Sequence, residues 1–521
     1  MGKKKRSKKV AADDDELTGT GTCEASADEV SLPDPTELGN VLQYENGLLA
    51  CAISPIYGRY LSTQRNVKKG DLLFSEKYLI AGPQRSSDVV CVGCHSEFQE
   101  DTTRFNCPHC QWPICRDECA VSIYHKDECK FFTEKKIKPP TRQGTCDFGA
   151  LTILRGLMLK LRDPVSWKKL MHLEAHNDIR KNLPLWRENM INVVIVILDQ
   201  WHLFEYFSEE EIHTVCGILE VNSFELGEKY SFRGIFPMAA MMAHDCIPNT
   251  THFQNGLDGI LEVRAAIDIP AGSPLAICYA FSLEGTSQRR KMLQETKFFE
   301  CSCVRCCDAK ELGTCLSGVL CQTCKKGYVY NTGAADLANV WICEKCKIKV
   351  PLQYIDSLLE NWQEAVDRVV DIPSSEKFIE NCKTVFHPNH AIPFGVKFNL
   401  CQAYGRESTE LQNLSPADLD RKLALCREVL DVLDALTPGY TITRGMVLYE
   451  LQAAEIIHVR RLQATLKPHI LRRKLQLTLK TLKDAIAILE MSPTSTIEYE
   501  IAQSAKKETL VDLTKWISLL K

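Results

Sequence analysis

The chain has 521 residues, a formal net charge of −4 and 45% hydrophobic residues, which predicts a globular protein of about three or four domains. The charge argues against a broad electrostatic surface for nucleic acid, and the richest apolar run, 190–198, is interrupted by Asn192, so no membrane span is expected. The twenty-five cysteines come in metal-type pairs and without a signal peptide, which indicates a reducing compartment, not a disulfide framework.

The chain opens with a charged tail. Residues 1–38 are expected to be disordered, since a basic run at 3–9 is followed by an acidic run at 13–16. The basic run has two interpretations, a nuclear localisation signal or a solvated tail. Short strands are predicted within 42–90, where Leu72–Phe74 and Tyr78–Ile80 are apolar.

Eight metal-type residues follow between Cys91 and Cys129. They have the spacing of zinc ligands and imply two zinc ions, since zinc takes four ligands in a tetrahedron: Cys91-x2-Cys94, Cys107-x2-Cys110, Cys115-x3-Cys119 and His125-x3-Cys129. Their order resembles a MYND finger. That resemblance implies interleaved sites, with Cys91, Cys94, Cys115 and Cys119 on one ion and Cys107, Cys110, His125 and Cys129 on the other. Apolar residues look too few for a core, so metal is expected to supply the folding energy.

Helices are predicted over 145–226. Leu151–Leu161 has helical spacing and is stopped by Asp163-Pro164. Ser208 to Glu211 reads as a capping box that opens a helix through Leu219. Strand character returns over 232–282, with runs at Ile260–Val263 and Leu275–Tyr279.

Two further cysteine groups precede a helical end. Cys301, Cys303 and Cys306 give three ligands and need a fourth, whereas Cys321, Cys324, Cys343 and Cys346, within a ribbon-like module at 318–348, form a complete set for zinc. From 351 to 521 the pattern is helical, with long amphipathic segments at Ser415–Leu436 and Ile470–Met491. Stacked helices similar to tetratricopeptide repeats are expected.

The motifs after residue 236 occur in a recognisable order. An apolar stretch from Pro237 enters a His-x-Cys-x-Pro-Asn turn ending at Asn249, and Ile277-Cys278-Tyr279, Arg289, Lys297-Phe298-Phe299 and the cysteine triplet follow. This combination resembles the second half of a SET domain with its post-SET loop at 297–310. Together with the MYND-like finger it resembles the SET-and-MYND (SMYD) family over 42–521, and the ribbon is most similar to the arthropod SmydA branch. The resemblance implies an α+β multidomain protein: a split β-rich SET domain (42–90 and 232–282) with an inserted finger (91–129) and helical insert (145–226), a post-SET zinc loop, the ribbon and an all-α C-terminal domain.

The resemblance also implies a site. Cys246 would join Cys301, Cys303 and Cys306 as the fourth ligand, for four zinc ions in all, with Cys307 and Cys315 left as spare thiols. The family transfers methyl groups from S-adenosylmethionine to a protein lysine, in line and with the amine neutral. Tyr279 matches the catalytic tyrosine that orients the amine. The implied cofactor contacts are Arg59, Asn222, His244 and Phe299.

Two departures from the family pattern leave an alternative open. Ala243 stands where the family has an asparagine whose amide hydrogen-bonds the cofactor, and losing that bond costs on the order of 1–3 kcal/mol of binding free energy. Tyr60 stands where the family usually has glycine, which permits close approach of the backbone to a ligand. The alternative is a weak or inactive adaptor that recruits partners through the finger and the C-terminal helices. The expected partners are a lysine-bearing protein, with a histone as one candidate, and, for the finger, proline-containing peptides. The acidic residues of the finger argue against DNA binding, and we expect a monomer in the cytoplasm, the nucleus or both, acting in transcriptional regulation.

Overall fold

A computed structural model describes residues 47–520, apart from gaps at 85–88, 97, 99–104, 123–124, 140, 143–144, 147, 227–231, 256–258, 333–339 and 408. The predicted charged tail therefore lies outside the described residues. The model is a mixed α/β chain with many helices, which confirms that part of the predicted fold class. No helix in the described ranges is long and apolar enough to cross a bilayer.

One β domain is assembled from two distant parts of the chain. Its first part holds β1 (Leu49–Ser54), β2 (Gly58–Thr63), β3 (Leu72–Lys77) and β4 (Ile80–Pro83), and its second part holds β9 (Ser223–Leu226), β10 (Phe232–Ile235), β11 (Ala243–His244), β12 (Thr250–Asn255), β13 (Ile260–Ala265) and β14 (Ala276–Ile277). The strand orders β12-β13-β3 and β4-β10-β9 mix the two parts. This split β domain therefore cannot close until residues beyond the insert are present.

Within the second part, a short parallel ladder joins two segments that are about thirty residues apart. β11 pairs with β14 in the register Ala243↔Ala276 and His244↔Ile277. The amide of Asn249 holds this ladder, because it donates to Pro274 O at 2.8 Å and accepts from Ala276 N at 2.8 Å. The turn that carries His244 and Cys246 is thus fixed against the segment that carries Tyr279.

The finger and a set of helices form the insert. The finger contains β5 (Phe105–Asn106), β6 (Pro113–Ile114), a 3-10 turn (Asp117–Val121) and α1 (Lys126–Glu134). A short hairpin follows, made of β7 (Thr141–Arg142) and β8 (Thr145–Cys146). The helical part of the insert then consists of α2 (Leu151–Arg162), α3 (Pro164–Met171), α4 (Asn177–Arg180), α5 (Pro184–Asn189), two π-helical turns (Met190–Val194, Val196–Gln200) and α6 (Glu209–Asn222). The predicted stop at Asp163-Pro164 is confirmed, since Asp163 caps α3 through Ser166 N. The capping box of Ser208 and Glu211 is also confirmed.

The finger shares its core with the rest of the insert, which corrects the expectation that metal alone folds it. Trp112 and Ile114 are fully buried, and the Trp112 ring lies 5.2 Å from Phe132, 6.3 Å from Phe148 and 6.3 Å from Trp201. Aromatic contacts of this kind bury large apolar areas. Apolar packing therefore contributes to the folding of the finger beside its cysteine sets.

The C-terminal half begins with α7 (Thr286–Lys297) and α8 (Val304–Cys307). The ribbon is a four-stranded sheet of β15 (Val319–Leu320), β16 (Tyr328–Asn331), β17 (Val340–Cys343) and β18 (Lys349–Pro351), and the helical domain holds α9 (Leu352–Val366), α10 (Ile372–Cys382), α11 (Ala391–Ala403), a 3-10 turn (Leu411–Asn413), α12 (Pro416–Leu436), α13 (Ile442–Leu462), α14 (Pro468–Leu489), α15 (Ile497–Lys507) and α16 (Thr509–Leu519). Successive helices from α10 to α16 pack on one another. The two long predicted helices correspond to α12 and α14.

The helical domain contacts the split β domain through the turn between α12 and α13. Tyr440 N donates to Ala266 O at 2.7 Å, and Lys69 Nζ lies 4.8 Å from the centre of the Tyr440 ring. Gly439 has φ +82, and a Cβ there would lie 2.0 Å from Ala266 O. Glycine is therefore required at this contact.

Some predicted boundaries were wrong. The stretch predicted to be helical, 145–226, contains β8 and β9, because residues 145–146 pair with β7 and residues 223–226 pair with β10 instead of continuing α6. The predicted strand Leu275–Tyr279 is reduced to Ala276–Ile277, because the backbone N–H of Tyr279 donates to the His244 ring. Tertiary partners decided both cases.

Candidate metal centres and candidate active site

The finger brings its eight ligands into two sets. Cys91, Cys94, Cys115 and Cys119 form one set and Cys107, Cys110, His125 and Cys129 the other, with the ligand atoms of each set within 4.8 Å of one another. The Cys94 and Cys115 sulfurs are 3.5 Å apart, and those of Cys107 and Cys129 are 3.6 Å apart. Four Zn–S bonds of ~2.3 Å in a tetrahedron place sulfurs about 3.8 Å apart. Both sets therefore fit zinc.

A buried ion pair holds the histidine of the second set. His125 Nδ1 lies 2.9 Å from Glu128 Oε1, which leaves Nε2 facing Cys110 Sγ at 3.3 Å. Arg155 of α2 reaches the same carboxylate through Nε at 2.6 Å and Nη2 at 2.7 Å. Burial disfavours the Glu128 charge, yet Arg155 and His125 hold its pKa below the ordinary value. A carboxylate behind a metal-ligating histidine fixes the ring and its tautomer.

A third set gathers around Cys246. Its sulfur lies 3.9 Å from that of Cys301 and 3.5 Å from that of Cys306, and Cys303 completes the set. These separations also fit a tetrahedral zinc. The set ties the turn after β11 to the loop after α7, and Tyr279 and Phe299 pack against it.

Two buried arginines surround this third set. Arg289 donates from Nε to Cys246 Sγ at 3.2 Å and from Nη2 to Cys306 Sγ at 3.3 Å. Its Nη1 lies 2.8 Å from Glu311 Oε2, which Arg305 Nη2 also reaches at 2.8 Å. A zinc bound by four thiolates carries a net charge of −2, so the guanidinium of Arg289 offsets that charge in the protein interior.

The ribbon carries the fourth set, Cys321, Cys324, Cys343 and Cys346. The sulfurs of Cys321 and Cys346 are 3.6 Å apart, and those of Cys324 and Cys343 are 3.7 Å apart. Cys346 is exposed, so this set lies nearer to solvent than the third. The spare thiols Cys307 and Cys315 belong to none of these four sets.

The predicted residues His244, Tyr279 and Phe299 lie together. The His244 ring is 5.2 Å from the Tyr279 ring and 5.6 Å from the Phe299 ring, and the latter two are 6.5 Å apart. His244 Nδ1 accepts from Tyr279 N at 3.0 Å, so in the neutral ring the proton is on Nε2, which faces Cys246 Sγ at 3.4 Å. Both ring nitrogens are thus engaged within the protein, and His244 links Tyr279 to the third cysteine set.

The Tyr279 hydroxyl is engaged as a donor. It donates to the backbone oxygen of Met242. Burial raises the pKa of Tyr279, so the phenol keeps its proton at neutral pH. Its oxygen lone pairs remain free to accept a hydrogen bond from an amine, which agrees with an orienting role and excludes a strong base.

Arg59 and Asn222 meet on a second patch, around Glu174. Arg59 Nη2 pairs with Glu174 Oε1 at 2.6 Å, and its side chain is 11% exposed. Asn222 Nδ2 donates to Glu174 O at 2.8 Å and to Ile218 O at 2.9 Å. The guanidinium and the amide N–H groups are thus in use within the protein, so any cofactor contact of these residues must share or replace these bonds.

The two departures from the family pattern lie at the same place. Ala243 is buried and its N–H donates to Leu275 O at 2.8 Å. The Tyr60 ring lies 5.5 Å from the Tyr57 ring, and the pKa of Tyr57 is raised by burial and by the nearby charges of Asp245 and Cys303.

Sequence reasoning named three further residues of the site within the motifs but assigned them no role. Cys278 lies within 4.8 Å of Cys246 and His244, and Lys297 Nζ lies 5.7 Å from the centre of the Tyr279 ring. Cys278 precedes the singled-out tyrosine directly, and Lys297 stands two residues before Phe299. Arg289 belonged to the resembling motif without a role. Their place within the motifs was the available signal, because each contact joins distant parts of the chain.

No protein-family model matches the chain. It is 29% identical over 455 residues to SET domain-containing protein SmydA-8, isoform B, of Drosophila melanogaster, an alignment of 83% of this chain and 96% of that protein. It is 25% identical over 373 residues to histone-lysine N-methyltransferase ASHR1 of Arabidopsis thaliana (65% and 74%). To histone-lysine N-methyltransferase SMYD3 of Homo sapiens it is 26% identical over 273 residues (48% and 59%). With the four cysteine sets, these relatives support a SET-and-MYND, SmydA-like protein.

Proposed function

We propose that the protein is an S-adenosylmethionine-dependent protein-lysine N-methyltransferase. The observation that carries this proposal is the cluster of His244, Tyr279 and Phe299 beside a zinc-type cysteine set. Relatives named histone-lysine N-methyltransferases support it. S-adenosylmethionine would supply an activated methyl group, and Phe299 offers an aromatic surface for its adenine. We propose zinc for the four sets.

Tyr279 would position the acceptor amine. A lysine amine has an unperturbed pKa near ~10.4 and must be neutral to attack. Burial away from water disfavours an ammonium ion, and the Tyr279 oxygen can accept one N–H of the amine. Because its own proton is held by Met242 O, Tyr279 orients the amine without removing a proton from it. Alignment of this kind supplies much of the rate of such a transfer.

His244 would keep Tyr279 in place. Its Nδ1 fixes the backbone of Tyr279, while its Nε2–H faces the Cys246 thiolate. Zinc in the third set would immobilise Cys246, so metal binding would order the segment that carries Tyr279. This contact is the reason to measure activity only on protein with its full zinc content.

The test is a calorimetric titration of zinc-loaded protein with S-adenosylmethionine, followed by transfer of labelled methyl to a lysine-bearing protein such as a histone. We expect binding, and label that Tyr279→Phe abolishes while its melting temperature and zinc content stay unchanged. Tyr57→Phe is the matched control and should keep its label. Absence of binding at high micromolar cofactor, with full zinc content, would overturn the proposal.

A second candidate function is a weak or inactive adaptor, and one observation favours it. A pocket of about 480 Å³ lies in the helical domain, lined by residues of α10, α11, α12 and the turn before α11, among them Glu380, Lys383, Phe386, Pro388, Lys397 and Arg421. Ala243 and Tyr60 agree with weak cofactor binding. In this function the finger and the C-terminal helices would recruit partners. In either function the finger would bind proline-containing peptides, and the protein would act in transcriptional regulation in the nucleus or cytoplasm.

The two functions separate in cells. If Tyr279→Phe rescues a deletion phenotype as well as the parent protein does, catalysis is dispensable and the adaptor function stands. If Tyr279→Phe fails to rescue at normal protein level and with partner binding intact, catalysis is required. Binding of a labelled proline-rich peptide to the finger, measured by fluorescence polarisation with and without Phe105→Ala, tests the peptide site, since Phe105 is exposed there.

A further inference from the structure

A lysine of the protein itself stands in the candidate active site. Lys297 is the last residue of α7, and its Nζ lies 5.7 Å from the centre of the Tyr279 ring. The same Nζ donates to Val221 O at 2.5 Å, next to Asn222. Lys297 therefore bridges the Glu174 patch and the His244–Tyr279–Phe299 cluster.

The surroundings of Lys297 are those of an acceptor amine. Burial lowers the pKa of Lys297, opposed by the charge of Glu225, so its neutral form is more populated than that of an exposed lysine. The next residue, Phe298, has φ +61, and its ring lies 5.3 Å from His176. This left-handed residue ends α7 and fixes the direction in which residues 297 and 299 leave the helix.

We propose that Lys297 is a self-methylation site, so that the first acceptor of the enzyme is its own lysine. This inference rests on the proposed function. In the transfer, the Nζ–CH3 bond forms as the sulfonium S–CH3 bond breaks. The cofactor leaves as a neutral thioether, S-adenosylhomocysteine, and the methylated amine releases its surplus proton to solvent.

Self-methylation would also change the contacts of Lys297. The amine has three protons when charged and loses one N–H for each methyl group gained, so full methylation removes the bond to Val221 O. The methylated amine of Lys297 would then either move away from the Tyr279 ring or remain packed against it. We expect an added lysine substrate to compete with unmodified Lys297.

The test uses the full chain with its zinc. The protein is incubated with labelled S-adenosylmethionine, digested and mapped by mass spectrometry, in parallel with a binding titration. We expect label on the peptide that contains Lys297, no label there in Lys297→Arg, and strongly reduced label in Tyr279→Phe. Lys291→Arg is the matched control, because Lys291 is exposed on the same helix, and it should label normally. An in-cis reaction has a single-turnover rate constant that does not change on dilution.

A second readout needs no turnover. If the Lys297 ammonium lies near the sulfonium, Lys297→Met should tighten binding of charged S-adenosylmethionine several-fold relative to neutral S-adenosylhomocysteine, and Lys291→Met should not. An unchanged ratio would overturn the placement and with it the inference. Cofactor binding with label on added protein but none on Lys297 would overturn the inference and leave the proposed function standing. Absence of cofactor binding would overturn both.

Discussion

Replacing Arg155 by methionine should loosen the finger from the split β domain. Arg155 is 6% exposed and, besides its two bonds to Glu128, it donates to Ala81 O at 2.8 Å and to Val92 O at 3.1 Å. The variant leaves the Glu128 carboxylate buried without its cation, and breaking a buried pair in this way costs about 3–5 kcal/mol. Because about 1.4 kcal/mol corresponds to a tenfold change in an equilibrium constant, the equilibrium constant for local opening should increase by two to four orders of magnitude.

Hydrogen exchange with mass spectrometry measures this opening directly, on peptides that cover 105–122 and 125–139, together with zinc release to a chromophoric chelator. Lys160→Met is the control on the same helix. The side chains of Lys160 and Glu211, which form an ion pair, are 37% and 23% exposed, and such exposed pairs contribute at most about 1 kcal/mol to stability. Adding Glu128→Gln to Arg155→Met should recover part of the protection. Protection in Arg155→Met equal to that of the control would refute the assigned role of the buried pair.

Three further predictions address other parts of the molecule. Arg289→Met should weaken zinc binding at the third cysteine set about ten- to a hundredfold, measured by competitive chelation, while Lys291→Met on the exposed face of α7 leaves it unchanged. His390 is buried and its pKa is lowered to about 3, against ~6.5 when unfolded. The unfolded chain therefore binds the extra proton, and acidification below about pH 6.5 should lower the free energy of unfolding by about 2 kcal/mol at pH 5. In His390→Asn the melting temperature should change less between pH 7 and pH 5 than it does in the parent protein. Gly439→Ala should lower the melting temperature more than Gly272→Ala. The φ angles of the two glycines are nearly equal, +82 and +81, but only a Cβ at position 439 would contact a backbone carbonyl. Equal shifts would contradict the contact between the helical domain and the split β domain.

Local signals in the sequence predicted the elements whose causes are local. The capping box at Ser208, the stop at Asp163-Pro164 and the long helices α12 and α14 depend on residues a few positions apart. The cysteine pairs are similar, since their spacing alone groups ligands on one turn. The membership of Cys246 in the third set came from family resemblance, because no local spacing connects it to Cys301.

What the sequence did not reveal depends on contacts between distant segments. Arg155 and Glu128 are 27 residues apart, and Lys297 and Val221 are 76 apart. Neither pair has a pattern that periodicity could detect. Tyr60 was singled out because the family usually has glycine there, and nothing in the sequence indicated that its ring would contact the ring of Tyr57.

The position of Cys246 sets the order in which the molecule can mature. The ligands of the finger all lie between Cys91 and Cys129, so they can assemble while the ribosome is still synthesising the insert. The partners of Cys246 in the third set lie 55 and 60 residues downstream. The strand pair that holds its turn forms only after residue 277 has been synthesised. A nascent chain halted before Cys306 therefore holds all the ligands of the finger but an incomplete third set, so this set cannot fix the turn that carries His244 until the loop after α7 has been made.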